Sequence, residues 1–96
     1  MSPALPALVA AIREQASLEI DLICAKALLA RVIAEMWNDG AVNGKNADER
    51  EAFVRIETDV ERQELDSVTI KLVKARAETE IARLYYDASL QTEVQP

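Results

Sequence analysis

Both glycines of this chain fall inside one stretch, Asn38-Asp39-Gly40-Ala41-Val42-Asn43-Gly44-Lys45-Asn46-Ala47-Asp48-Glu49, and its three prolines stand at positions 3, 6 and 96. Glycine and proline interrupt helices more strongly than any other residues. With both confined to one turn and the two ends, the chain is left with two long segments in which nothing opposes a helix. Gly40 suits the left-handed position just past a helix C-terminus, and Asn43-Gly44 is a second dipeptide that tolerates that geometry. Asn46 followed by Glu49 has the spacing of a capping box, in the variant with Asn for Ser or Thr. Asp48, Glu49 and Glu51 add negative charge to the first turn, where it favours the helix dipole. The reading is a first helix ending near Asn38 and a second beginning at Ala47.

Periodicity says which faces of these helices need cover. In the first, about residues 3–38 with Ser2 as a possible N-cap before Pro3, the residues Leu5, Leu8, Ile12, Leu18, Leu22, Ile23, Leu29, Ile33, Met36 and Trp37 share one broad sector. The second, about 47–90, carries two heptad seams. Phe53, Ile56, Val60, Ile70, Ala77, Ile81, Leu84 and Ala88 form one; Leu65, Val68, Leu72, Ala75, Ala82 and Tyr86 form the other. Thr58-Asp59-Val60-Glu61 has capping-box spacing and marks a candidate restart near residue 58. The polar tail 91–96 is expected to fray.

The fold expected is therefore all-α: a single domain of 96 residues built as a long antiparallel helical hairpin. A chain this short hides only roughly 60–65% of the surface it exposes unfolded. Dimerisation, completing a four-helix bundle or coiled coil, would cover the surplus. Leu18, Leu22, Leu29, Ile33, Leu65, Leu72 and Ile81 are the candidate self-association residues. Glu19 and Lys26 sit inside the apolar sector two turns apart and are candidates to set the register of a pair. Trp37 is expected to close the core beside the turn.

The segment Gly44-Lys45-Asn46-Ala47-Asp48-Glu49-Arg50-Glu51, between a long helix and an Arg/Glu-rich one, resembles the turn of small helical-hairpin proteins encoded in tailed bacteriophages and prophages. The Asp-Pro step and aromatic associated with that family are absent; the comparable place reads Thr58-Asp59-Val60-Glu61-Arg62. The resemblance implies a phage or prophage setting and no particular chemistry.

Composition excludes most catalytic classes. There is no histidine, which removes the usual general base, the Ser-His and Cys-His pairs and the Glu-x-x-His ligand sets of di-iron bundles. No metal, cofactor or enzymatic activity is expected. Gly44-Lys45 lacks the glycine spacing, the following Ser or Thr and the preceding strand of a phosphate-binding loop. The lone Cys24 lies towards the polar side and reads as incidental. The net charge of −6, from 11 basic and 17 acidic residues, opposes generic binding to nucleic acid or anionic lipid. No apolar run approaches membrane-spanning length and no basic leader precedes the N-terminal apolar run, so the expected location is cytoplasmic.

Charge is uneven along the second helix. Residues 47–66 hold eight acids against Arg50, Arg55 and Arg62, whereas Lys71, Lys74, Arg76 and Arg83 follow. In an antiparallel dimer, the acidic part of one copy could face the basic part of the other. The function expected is a non-catalytic interaction module with an unidentified protein partner. The alternative is an acidic inhibitor or mimic that presents Glu57, Glu61 and Glu64 to the basic nucleic-acid-binding site of another protein.

Overall fold

The computed structural model describes residues 3–94. They form three α-helices and no strand: α1 (Ala4–Asn38), α2 (Ala47–Glu57) and α3 (Asp59–Val94). The expected Ser2 cap lies outside the described residues; at the start of α1, the Pro3 carbonyl accepts the Ala7 N–H at 3.2 Å. The chain groups into two compact units. One combines residues up to Ile20 with those from Thr69 onward, and the other is Asp21–Val68.

In the first unit, α1 buries Leu8 and Leu18 and half-buries Ala4, Ala11 and Gln15, while α3 buries Leu72, Ala75 and Thr79 and half-buries Ala82, Tyr86 and Ser89. Both sets advance in alternating steps of three and four, the signature of a coiled-coil seam. Thr79 Oγ1 lies 3.3 Å from the Ala11 carbonyl oxygen, and an Arg76 guanidinium nitrogen 3.6 Å from Glu19 Oε1. Numbers therefore rise along α3 as they fall along α1, so these segments run antiparallel. One heptad from the Thr79–Ala11 level, Leu72 is level with Leu18. Alanines and Thr79 in the seam permit close approach. The single Thr79 hydroxyl proton needs no water there, because it is donated to the nearer Ala75 carbonyl at 2.9 Å, with the Ala11 carbonyl as a second, longer acceptor.

α3 continues to Val94, past the end expected at Leu90. No glycine or proline intervenes before Pro96, and the Thr92 hydroxyl donates to the Ala88 carbonyl at 3.0 Å. Polarity alone does not end a helix. The rest of the tail expected to fray, residues 95–96, lies outside the described residues.

The second unit contains the turn. Gly40 has φ 69°, its N–H reaches the Trp37 carbonyl at 3.3 Å, and Ala41 N–H reaches that of Met36 at 3.0 Å. These are the two bonds of a Schellman motif with glycine in the left-handed position. Asn46 caps α2 by accepting the Glu49 N–H at 2.9 Å. The Glu49 carboxylate reaches back to the Lys45 N–H at 2.7 Å, one residue before the position used in a capping box. Asn46→Ala is expected to cost about 1 kcal/mol, to be read as a lower urea midpoint at fixed protein concentration.

The interruption between α2 and α3 is a single residue. Thr58 has φ −106° and ψ 20°, yet its N–H still bonds the Val54 carbonyl and its own carbonyl still accepts from Arg62 N–H. Its side chain is fully buried. The hydroxyl donates to the Val54 carbonyl at 2.6 Å and accepts from Arg62 Nε at 3.0 Å. A hydroxyl competing for the carbonyl four residues back bends a helix without ending it. Thr58 therefore distorts the backbone by back-bonding, where a capping box would have turned its hydroxyl towards Glu61.

Candidate interaction surface

The described residues contain no group of three or more potential metal ligands, and Cys24 is a free, exposed thiol. No helix among them is long and apolar enough to cross a membrane. The chemistry left to explain is that of the exposed apolar faces.

The candidate self-association residues divide sharply. Leu18 and Leu72 are buried by the chain itself, and Leu22, Leu29, Ile33 and Leu65 are half-buried. Ile81, by contrast, is 53% exposed. Of the two seams on the second helical segment, the one running through Leu65, Val68, Leu72 and Ala75 is covered. The other is open: Ile56, Val60, Ile70 and Leu84 are all exposed. The covered seam carries the smaller side chains, so it admits a closer neighbour.

α1 shows the same division. Its covered positions follow Ala4, Leu8, Ala11, Gln15, Leu18, Leu22, Ala25, Leu29, Val32 and Met36. About 100° round the helix runs a second heptad stripe: Leu5, Val9, Ile12, Ala16, Glu19, Ile23, Lys26, Ala30, Ile33 and Trp37. In the first unit Leu5, Val9 and Ile12 are exposed, and in the second Ile23 and Trp37 are. Trp37 does not close the core: it is 50% exposed, because Met36 takes the inward position and Trp37 the stripe beside it. With Ile33, Ala47, Arg50 and Val54 it lines a shallow depression of about 380 Å³. In the first unit, Pro3, Ala4 and Ala7 face Ile81, Ala82 and Tyr85 across an apolar groove of about 520 Å³.

The acidic candidates are not equivalent. Glu57 and Glu64 are exposed, but Glu61 is half-buried, with Oε2 enclosed and lacking a hydrogen-bond partner. The cause is spacing: Glu61 follows Val54 and Thr58 and precedes Leu65 and Val68 in the covered seam. It does not share a solvated face with the other two. Nor do the basic residues of α3 form one surface. Arg76 turns to Glu19 and Arg83 to Glu80, at 3.6 and 3.0 Å, leaving Lys71 and Lys74 towards the open seam. These exposed pairs contribute little stability.

No family model, curated protein or solved structure matches the chain.

Proposed function

We propose that this chain is a non-catalytic interaction module, a helical hairpin that completes its core by pairing with a second copy and presents the remaining apolar face to a protein partner. The observation that carries the reading is the second, uncovered heptad stripe on each long helix. Scattered exposed aliphatics are ordinary on a protein surface, but heptad-spaced stripes are what packed helices bury. The acidic alternative retains Glu57 and Glu64 as exposed carboxylates, loses Glu61 to the covered seam and leaves Ile23, Trp37, Ile70 and Ile81 unexplained.

The turn from Gly44 to Glu51 supports a phage or prophage accessory role. Neighbouring genes for phage packaging or recombination would strengthen that setting, whereas a neighbourhood without phage genes would count against it. Self-association has a thermodynamic test. Folding coupled to pairing makes the thermal midpoint rise with protein concentration. A midpoint constant across a hundredfold range of concentration would contradict it.

A further inference from the structure

The depression beside Trp37 lies wholly within the second unit, and its rim carries one charge of each sign, Arg50 and Glu51. Arg50 is held in place by the turn. Its side chain lies over Gly44, where a Cβ would stand 2.9 Å from Arg50 Cγ, and its Nε donates to the Gly44 carbonyl at 3.3 Å. That bond uses Nε alone, so both terminal guanidinium nitrogens keep their hydrogens for another acceptor. The Glu51 carboxylate is exposed and, among the described residues, has no ion-pair or hydrogen-bond partner, although Arg55 stands one turn further along α2.

The α2 residues of this patch are spaced symmetrically. Ala47, Arg50, Glu51 and Val54 follow one another at intervals of three, one and three, so reversing the helix about the point between residues 50 and 51 exchanges Arg50 with Glu51 and Ala47 with Val54. From this we propose that the patch is a contact between two copies of the chain, their α2 helices packed antiparallel about a two-fold axis beside residues 50 and 51, with Arg50 of each copy paired to the partner's Glu51.

The inference rests on the self-association reading and adds to it a face, a direction and a register. An isologous contact brings each residue to its mirror position. The rim cation of each copy then meets an anion and the rim anion meets a cation, while the small Ala47 stands over the floor of the other depression at Val54. Parallel packing would set Arg50 against Arg50 and Glu51 against Glu51. A different occupant would have to bring both charges in the same arrangement; a second copy has them by symmetry. Trp37, half exposed beside the rim, and Arg50 are of the residue types that dominate the energy of such contacts. The larger groove of the first unit is a poorer surface for self-pairing, because the charged residue lining it is Glu78, which finds no opposite charge in a second copy of that groove.

Sedimentation equilibrium and tryptophan emission test the contact together, since Trp37 is the one tryptophan of the chain. The emission maximum is expected to move to shorter wavelength as the dimer forms. Glu51→Arg places like charges together twice per dimer and is expected to weaken association about tenfold or more; Glu51→Gln should fall between it and the wild type. Neither breaks a side-chain bond within the described chain, so helix content by circular dichroism should not change. Arg50→Glu is expected to weaken association as Glu51→Arg does, but an equimolar mixture of the two variants restores both pairs and should associate within about threefold of the wild type. Should Arg50→Glu lose helix with its bond to Gly44, the two Glu51 variants decide alone. A dimer that forms without a shift in Trp37 emission, that is indifferent to Glu51→Arg, or whose folded reversed variants fail to pair in the mixture would overturn the contact and leave self-association to another face. A monomeric wild type would remove both.

Discussion

Leu72→Ala is expected to destabilise the chain by about 2–5 kcal/mol. Leu72 is a large side chain only 2% exposed, and it sits in the covered seam between Val68 and Ala75. Along α3 its seam neighbours are small, Ala75, Thr79 and Ala82. Leu18, at its level on α1, is itself buried in the seam, so it refills the cavity left by truncation only in part. Domains of this size have total stabilities of about 5–15 kcal/mol, so the loss is a substantial fraction. The measurement is urea denaturation at fixed protein concentration, since the proposed pairing would link the midpoint to concentration. Ile70→Ala, two residues away on the exposed face, provides the contrast and should cost far less in an isolated copy.

The second large effect lies in the turn. Gly44 has φ 151°, and a Cβ built there would stand 2.7 Å from the Arg50 backbone nitrogen and 2.9 Å from the Glu49 carbonyl carbon. Gly44→Ala therefore combines an unfavourable dihedral, about 1–2 kcal/mol, with a collision against backbone that cannot swing aside, about 1–3 kcal/mol. A loss of about 2–5 kcal/mol is expected. Gly40→Ala separates the two causes. Gly40 also has positive φ, 69°, but a Cβ there would meet nothing within 4 Å, so only the dihedral cost remains. A Gly44→Ala variant no less stable than Gly40→Ala would show that the contact with Arg50 is unimportant.

Much of the local structure was legible because it depends on residues close in sequence. Gly40 could be placed past the end of the first helix, and Asn46 at the start of the next, from backbone chemistry alone. Periodicity also separated the two seams of the second helical segment. It did not rank them, because the open seam has the larger aliphatics. The close-packed alanines and Thr79 are what favour the other, and that depends on how near the neighbouring helix can come. Trp37 lies outside the core for a related reason. A sector more than a third of a turn wide contains two adjacent stripes, and residues 36 and 37 belong to different ones. Glu61 shows the limit for charged residues: composition groups it with Glu57 and Glu64, whereas its register sends it inward.

Two copies held together through exposed heptad stripes have a mass that one experiment reads directly. Sedimentation equilibrium from the micromolar range upward should give about twice 10.6 kDa, falling towards the single-chain value on dilution. A folded, helical species that remains at 10.6 kDa at the highest concentration would mean that Ile23, Trp37, Ile70 and Ile81 stay in water, and self-association would have to be abandoned.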